Sequence, residues 1–159
     1  MNKTYLLLGS NLGNSIAQLE KAKKYIAQKI GNIKRSSGIY QTKAWGKTDQ
    51  PDFFNQVIVV ETKLDAAATM HCILSIEAKM GRIRDKKNDP RIIDIDILFF
   101  NKEICQTPLL TLPHPLIQER NFVLIPLNEL SPSFIHPVLK QTIHQLMLRS
   151  KDQLAVKKN

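Results

Sequence analysis

The chain has 159 residues, of which 43% are apolar, and its net charge is +9. This length suits one hydrophobic core, so we expect residues 1–159 to form a single domain, and no stretch approaches the ~20 apolar residues that span a bilayer. Its two cysteines lack the spacing of a zinc site or a disulfide framework. We therefore predict a cytoplasmic protein whose positive charge attracts an anionic ligand, such as nucleic acid, a phosphate-rich cofactor or acidic lipid.

The first part of the chain predicts a strand followed by a helix. Thr4–Leu8 is a short apolar run that suits a buried strand. The next residues, Gly9–Asn14, favour a turn and end on an asparagine that can cap a helix. Apolar residues then recur at helical spacing from Ile16 to Ile30, and Gly31 is placed to end the helix.

The middle of the chain predicts two strands, a second helix and a further strand. Residues 33–41 and Val57–Thr62 have the apolar and β-branched content of strands. Asp65 can cap a helix that continues through Met80, and Ile92–Phe100 suits the last strand. The order βαββαβ predicts an α+β fold with a ferredoxin-like core, in which an antiparallel sheet carries two helices on one face.

The last third of the chain predicts an irregular C-terminal extension with short helices. Prolines interrupt Pro108–Pro115, and a short helical stretch lies near Pro126–Leu130. The apolar residues Leu139, Ile143 and Leu146 suggest a final helix. The basic tail Val156–Asn159 is expected to be frayed.

Two aspartates, Asp94 and Asp96, interrupt the apolar run of the last predicted strand. Because successive strand residues point to opposite faces, these aspartates share one face and Ile93, Ile95 and Ile97 share the other. Aspartate is disfavoured in strands, so the pair needs a reason. One reason is a solvent-facing side of the strand. The other is a magnesium site, since Mg²⁺ is usually held by one or two carboxylates together with substrate phosphates.

A cluster of basic residues precedes the aspartates in one predicted loop. Its members are Arg82, Arg84, Lys86, Lys87 and Arg91. Guanidinium groups match phosphate oxygens in a bidentate manner, so this loop suits phosphate binding beside a carboxylate-bound cation. A charged surface loop would explain the charge but not its position next to the aspartates.

Several separate motifs resemble those of the 6-hydroxymethyl-7,8-dihydropterin pyrophosphokinases of folate biosynthesis. The matching segments are Gly9–Gly13, Asp49–Asn55, Arg82–Leu98, Pro113–Pro115 and Arg120–Phe122. The resemblance implies an ATP-dependent diphosphotransferase that moves pyrophosphate from ATP to the pterin hydroxymethyl group and releases AMP. It implies ATP as co-substrate and two Mg²⁺ ions, and we expect a monomer.

The resemblance also assigns roles to individual residues. Asp94 and Asp96 are the implied metal ligands, and Arg82 and Arg91 join them as implied catalytic residues. The implied ATP-binding residues are Glu77, Arg82, Arg84, Arg91, Ile97, Thr111, His114 and Arg120. The implied pterin-binding residues are Thr42, Ala44, Trp45, Phe53, Asn55 and Phe122. Aromatic faces with donors and acceptors at the rim suit a flat heterocycle.

The same residues have structural interpretations when each is taken alone. Phe53 and Phe122 could be core residues, and His114 could be a surface-loop histidine. The sequence also departs from the family pattern. Many members have an aromatic residue and Gly-Pro-Arg where this chain has Asn88–Arg91, and a proline pair where it has Lys43–Ala44.

A ferredoxin-like RNA-binding module is the alternative function, favoured by the order of elements and the basic charge. Such modules carry aromatic residues on the sheet surface, whereas the predicted strand here carries Asp94 and Asp96, which repel phosphate unless a cation intervenes. A structural or adaptor role leaves the aspartates unexplained. We therefore predict an enzyme that acts on small molecules, without nucleic acid or membrane.

Overall fold

The computed structural model describes residues 1–43, 49–83 and 90–159. Within these ranges the helices are α1 (Ser15–Lys29), α2 (Ala66–Lys79), α3 (Asn121–Leu130) and α4 (Ile143–Arg149), with a 3₁₀ turn at Ile117–Glu119. The strands are β1 (Asn2–Ser10), β2 (Gly31–Ser36), β3 (Tyr40–Thr42), β4 (Phe53–Thr62), β5 (Asp94–Phe100), β6 (Cys105–Gln106), β7 (Thr111–Leu112) and β8 (Val156–Lys158). None of the described helices is both long enough and apolar enough to cross a membrane.

An antiparallel sheet forms the centre of the fold. Its strands follow the order β5-β1-β4-β3-β8, with β2 also paired to β4, and β6 and β7 form a separate hairpin. Gly9 lies opposite Asp94 of β5 and Asn55 of β4, and Asn55 lies opposite Tyr40 of β3. Residues in one such row point to the same face, so these side chains share one side of the sheet.

Helices cover both faces of the sheet. On one face α1 and α2 pack over a largely aliphatic cluster that includes Leu6, Leu8, Ile58, Val60 and Ile95. On the other face α3 and α4 pack over a second cluster that includes Tyr5, Leu7, Val57, Val59 and Phe99. The sequence predicted one helical layer, and the C-terminal helices provide the second.

The helices begin where local hydrogen bonds satisfy their first amide groups. The side chain of Asn14 accepts a hydrogen bond from the backbone N–H of Ala17 at 3.2 Å, and Asp65 accepts one from Ala68 at 2.8 Å. These contacts confirm both predicted caps. Thr142 forms a capping box at the start of α4, so the predicted inclusion of Leu139 in this helix is wrong.

Other predicted strands also have different bounds: β1 extends to Asn2 and Ser10, and β5 begins at Asp94 rather than Ile92. The strand predicted for residues 33–41 is divided into β2 and β3, because Ser37 bonds to Val57 through its side chain and its backbone N–H. β4 begins at Phe53 rather than at Val57. The predicted start at Val57 is wrong. Phe53–Gln56 lacks the β-branched residues on which the prediction relied, but pairing with β1 and β3 makes these residues part of the strand.

The predictions for the C-terminal third differ most from the structure. The helical stretch near Pro126 begins earlier, at Asn121, and contains the proline within it. The tail predicted to be frayed instead forms β8, which pairs with β3 through Tyr40, Gln41 and Thr42. The amide and carbonyl groups of β3 that face away from β4 find partners in this way, a non-local reason that tail composition does not reveal.

Candidate active site

A cleft lies on the α3 face of the sheet, at the end where Gly9 and Asp94 face each other. It encloses about 570 Å³, part of which is open to solvent. The residues that line it are Leu7, Gly9, Thr42, Lys43, Phe53, Asn55, Arg91, Asp94, Asp96, Arg120 and Phe122. All of these except Leu7, Gly9 and Lys43 are predicted site residues, so the cleft brings most of the predicted pterin side and the predicted metal side together.

The two aspartates enter the cleft because β5 alternates between the faces of the sheet. Asp94 lies opposite Gly9, and Asp96 lies opposite Leu7. The intervening Ile95 is buried in the cluster beneath α1 and α2. The predicted alternation is therefore confirmed, and both carboxylates stand on the face that α3 leaves partly open.

Two arginines hold the carboxylate of Asp94. Arg82 donates from Nη1 to Oδ1 of Asp94 at 2.7 Å, and Arg91 donates from Nη1 to Oδ2 at 3.2 Å. Burial alone would lower the pKa of Arg82, but the charges of Asp94 and Glu77 raise it above its ordinary value. Arg82 is therefore a permanent cation beside the cleft.

Glu77 lies behind this pair rather than in the cleft. Its side chain is only 2% exposed, and its Oε2 accepts hydrogen bonds from Arg82 at 2.7 Å and from the backbone N–H of Ile95 at 2.8 Å. Because Ile95 belongs to the outermost strand of the sheet, this carboxylate satisfies an edge amide and fixes Arg82. The predicted ATP contact of Glu77 stays a prediction.

Three carboxylates, those of Asp94, Asp96 and Glu77, lie near one another at the predicted metal side of the cleft. Burial first, and then the charges of Asp94 and Glu77, raise the pKa of Asp96 to about 8, although Arg120 and Arg82 oppose this shift. A bound divalent cation would relieve this repulsion. The described residues contain no group of three or more His, Cys, Asp or Glu placed to hold a metal ion. Two carboxylates nevertheless suit magnesium, which is commonly completed by water and phosphate oxygens.

The opposite side of the cleft offers unsatisfied polar groups to a ligand. The Nδ2 of Asn55 and the Oγ1 of Thr42 are buried and have no hydrogen-bond partner among the described residues. An unpaired buried polar group costs roughly 1–3 kcal/mol, so a ligand that bonds to both would recover this energy. Gly9 makes room for Asn55, since a Cβ added at Gly9 would lie 2.8 Å from its Oδ1.

Aromatic rings flank these polar groups. The guanidinium carbon of Arg91 lies 5.3 Å from the centre of the Phe53 ring, and that of Arg120 lies 5.5 Å from the centre of the Phe122 ring. Phe53 belongs to β4, whereas Phe122 belongs to the first turn of α3. A flat ligand between sheet and helix could therefore contact both rings.

His114 and Thr111 line a second groove rather than the cleft. The Nδ1 of His114 accepts a hydrogen bond from Leu116 at 3.1 Å, so the ring proton of the neutral form lies on Nε2. Burial and the charge of Arg120 lower the pKa of His114 to about 4, against the opposing charge of Asp94. At neutral pH this histidine can donate a hydrogen bond but carries no positive charge.

Some predicted residues do not present side chains to the cleft or lie outside the described structure. Ile97 is 3% exposed and packs in the cluster beneath α1 and α2. By strand alternation its backbone N–H points to the same outer edge of β5 as that of Ile95. The predictions for Arg84, Ala44 and Trp45 concern residues outside the described ranges.

Asn11, which the sequence predicts only as part of a turn, connects two segments beside the cleft. It is 2% exposed. Its Nδ2 donates to Gln50 at 3.0 Å and to the carbonyl of Pro51 at 3.1 Å, while its Oδ1 accepts from the backbone N–H of Arg91 at 3.0 Å. One buried amide thus joins the segments that precede β4 and β5. The motif Gly9–Gly13 was the available signal.

Residues 5–132 match the family model of 7,8-dihydro-6-hydroxymethylpterin-pyrophosphokinase. The chain is 39% identical over 136 residues to 2-amino-4-hydroxy-6-hydroxymethyldihydropteridine pyrophosphokinase of Methylorubrum extorquens, covering 85% of this chain and 86% of that protein. It is 37% identical over 145 residues to the enzyme of the same name from Aquifex aeolicus, covering 91% of this chain and 90% of the other.

Longer proteins contain a region similar to this chain. The folic acid synthesis protein FOL1 of Dictyostelium discoideum is 38% identical over 147 residues, but the match spans 92% of this chain and only 22% of that protein. A crystal structure of Plasmodium falciparum HPPK-DHPS matches 93% of this chain and 42% of the solved chain, with a TM-score of 0.74 and 20% identity. This structural likeness concerns the fold.

Proposed function

The chain belongs to the 7,8-dihydro-6-hydroxymethylpterin-pyrophosphokinase family, and on this premise we propose how its residues bind and align the substrates. The protein is an ATP-dependent diphosphotransferase that transfers pyrophosphate from ATP to the hydroxymethyl group of hydroxymethyldihydropterin in folate biosynthesis. The observation that supports our assignment of the cleft is the row formed by Asp94, Gly9 and Asn55. This row places the Asp94 carboxylate and the unpartnered amide nitrogen of Asn55 on either side of Gly9, on one face of the sheet.

The pterin occupies the side of the cleft formed by β3, β4 and the start of α3. Phe53 and Phe122 contact the two faces of its ring, and Asn55 and Thr42 bond to its rim. Their unpartnered polar atoms support this assignment, because a buried amide and hydroxyl discriminate strongly in favour of a ligand that pairs with them. We extend the pterin site to Ala44 and Trp45 from the family resemblance alone.

The triphosphate of ATP occupies the side of the cleft formed by β5. Asp94 and Asp96 would hold two magnesium ions, and the charge crowding at Asp96 supports a cation there. When bound, magnesium supplies positive charge that offsets the phosphates and favours ionisation of the reacting hydroxyl. Arg82, Arg91 and Arg120 bind phosphate oxygens, and Arg84 joins them from the resemblance alone.

The nucleoside of ATP lies along the outer edge of β5. The backbone of Ile97 faces this edge, and Thr111 and His114 stand near it on β7 and the segment that follows. Glu77 sits behind the edge and fixes Arg82. Neutral His114 donates from Nε2 to a phosphate oxygen instead of adding charge.

The reaction is an in-line displacement at the β-phosphorus of ATP. A bond forms between the pterin hydroxymethyl oxygen and the β-phosphorus, and the bond from that phosphorus to the bridging oxygen of the α-phosphate breaks. AMP leaves with that oxygen, and the hydroxyl proton passes to solvent. The arginines stabilise the charge that develops on the transferring group, and the pterin contacts hold the hydroxyl in line.

Nucleotide analysis of the reaction tests the function. The purified protein, 6-hydroxymethyl-7,8-dihydropterin and Mg-ATP should give equal amounts of AMP and pterin diphosphate by chromatography. Without the pterin, little AMP should form. ADP as the product would show phosphoryl rather than pyrophosphoryl transfer and would contradict the proposal.

Variants at Asn55 test the assignment of the pterin side. Asn55→Ala should weaken binding of a pterin, measured by calorimetry, by about 10-fold or more, because the ring edge loses its partner. Binding of an ATP analogue should change little. Equal losses for both ligands would instead indicate a collapsed cleft.

Other features stay predictions from the sequence, and we include them in the proposal. The strand order β5-β1-β4 with β2 and β3 beyond supports a ferredoxin-like core. We also propose a single-domain monomer that acts in the cytoplasm on small molecules, without nucleic acid. The further regions of the longer relatives are properties of those proteins.

A further inference from the structure

The C-terminal segment Asp152–Lys158 lies beyond residues 5–132, which match the family model, yet it contacts both walls of the cleft. We name this segment the C-terminal strap. We propose that the strap positions the two walls of the pterin side relative to each other and thereby sets the affinity for the pterin. This inference rests on the proposed pterin site and adds residues that do not touch the substrate.

The first anchor of the strap is the beginning of α3. The Oδ2 of Asp152 accepts a hydrogen bond from the backbone N–H of Asn121 at 2.9 Å, and its backbone carbonyl accepts one from the Asn121 side chain at 3.2 Å. The N-cap residue Arg120 makes no side-chain cap bond. Asp152 therefore accepts a hydrogen bond from an N-terminal amide of α3, where the helix dipole also favours a carboxylate.

This anchor bears directly on the cleft because Asn121 lies between two of its lining residues. Arg120 and Phe122 both line the cleft. A hydrogen bond to the backbone of Asn121 fixes the first turn of α3, and so fixes the direction from which the Phe122 ring enters. Asp152 can thus act on the pterin only through Phe122 and Arg120, as a positioning residue.

The second anchor is the short strand β3. Val156 pairs with Thr42, Lys157 with Gln41 and Lys158 with Tyr40. Without the strap, β3 would have three residues held only by β4, and so short an edge strand is weakly constrained. Thr42 is the last residue of β3 and lines the cleft with an unpartnered hydroxyl.

Glu129, near the C-terminal end of α3, connects this helix to β3 and to the C-terminal strap. It accepts a hydrogen bond from the Tyr40 hydroxyl at 2.6 Å and from the backbone N–H of Gly38 at 3.2 Å, and it lies 3.6 Å from Nζ of Lys158. The helix that carries Phe122, the strand that carries Thr42 and the strap are therefore joined at both ends. The distance between the two cleft walls depends on this frame.

A purely structural role for the strap is the competing explanation, and Asp65 provides a matched control. Asp65 caps α2 by accepting a hydrogen bond from Ala68 at 2.8 Å. The start of α2 lies on the other face of the sheet, and about 18 Å of helix separates it from Glu77. Asp65→Ala should lower the melting temperature about as much as Asp152→Ala, without a change at the cleft.

The experiment measures binding of a pterin by calorimetry and thermal unfolding for a set of full-length variants. Asp152→Ala should raise the Kd for the pterin roughly fivefold, the factor that corresponds to one lost helix-terminal hydrogen bond. Asp152→Asn keeps an acceptor for the Asn121 amide and should restore most of the affinity. Removal of residues 155–159 should raise the Kd by a similar factor. Asp65→Ala should bind as the unaltered protein does.

Phe122→Ala separates failure of this inference from failure of the proposed site. If Phe122→Ala loses pterin affinity while Asp152→Ala and the shortened chain bind like Asp65→Ala, the strap has no positioning role and the site stands. If Phe122→Ala binds normally, the pterin site is wrongly assigned and the inference fails with it. Should the shortened chain not fold, the Asp152 variants alone decide.

Discussion

The two faces of the central sheet are built from the same strands, but one face forms an aliphatic core and the other carries the cleft. On the face beneath α1 and α2, Leu8 and Ile95 lie opposite each other in an aliphatic cluster and are almost fully buried. In the adjacent row of the sheet, Gly9 and Asp94 face the cleft on the other side. Neighbouring residues of one strand therefore have different roles: one stabilises the fold on the first face, and the next is assigned to the chemistry on the other face.

The α3 face is itself divided. At one end Tyr5 and Phe99 meet edge to face at 5.8 Å, and Phe134 packs 4.6 Å from Phe99. At the other end the same strands, β1 and β5, carry Gly9 and Asp94. The aromatic end secures α3 and α4, so the polar end can remain open and hold crowded carboxylates that a packed core would not tolerate.

The largest effect on activity is expected when a proposed metal ligand is removed from the polar end of the α3 face. Asp94→Ala should reduce kcat by roughly a thousandfold or more, because it deletes a proposed metal ligand and the partner of two arginines. Urea unfolding should show little loss of stability, since removing one carboxylate also relieves repulsion at Asp96.

Ile95→Val is the matched control on the opposite face. It removes one buried methyl group and should lower the free energy of unfolding by about 0.5–1.5 kcal/mol while leaving kcat nearly unchanged. If both variants lose activity and stability together, the two faces are coupled and the separation of tasks is wrong.

A smaller effect is expected for Arg82, which bonds to Asp94 and is proposed to bind the phosphates of ATP. Arg82→Ala should reduce kcat by about 100-fold with a modest change in the KM for ATP, because charge on the transferring group is largest in the transition state. Lys23→Ala removes an ion-paired cation from α1, 3.4 Å from Glu20, and should change neither constant. A change confined to the KM would make Arg82 a docking group.

Gly9→Ala tests whether the position of the Asn55 side chain depends on the absence of a side chain at Gly9. The added Cβ would lie 2.8 Å from Oδ1 of Asn55, so Asn55 must shift and pterin affinity should fall by about 10-fold in calorimetry. The adjacent Leu8 faces the other side, and Leu8→Val should cost roughly 1–2 kcal/mol of stability without changing the Kd. Unaltered pterin binding in Gly9→Ala would show that Asn55 can move freely.

The face beneath α1 and α2 was predictable because its signals are local. The caps Asn14 and Asp65, the helical spacing of apolar residues and the alternation around Asp94 all act within a few residues. The family motifs located most of the cleft. They could not reveal that Glu77 is buried behind Arg82 or that His114 is neutral, because burial and pKa depend on distant neighbours.

The other face was predicted less well because it depends on long-range pairing. The composition of Val156–Asn159 suggested a frayed tail, whereas partners at β3 turn it into a strand. The capping box of Thr142 and Gln145 was a local signal for the start of α4 that could have been used. Pro126 suggested a short helix, but packing over the sheet sustains a longer one.

The smallest effect concerns Tyr40, which lies on the α3 face but does not line the cleft. Burial, and then the hydrogen bond and charge of Glu129, raise its pKa from 10.0 to about 12. A phenol whose folded-state pKa is raised contributes stability that is complete below its unfolded pKa and is lost as the pH rises through the folded pKa. The hydroxyl should therefore stabilise the protein below about pH 10 and cease to do so near pH 12.

Tyr40→Phe isolates this contribution. At pH 7 the variant should be less stable by about 1 kcal/mol, the typical value of one hydrogen bond. Urea unfolding of both proteins between pH 7 and pH 12 should show the two stability curves converging above about pH 10, because only the tyrosine ionises. A constant difference across this range would mean that folding does not raise the pKa of the Tyr40 hydroxyl. Glu129→Gln, which keeps an acceptor but removes the charge, should shift the convergence to lower pH, since the charge no longer opposes ionisation of the phenol.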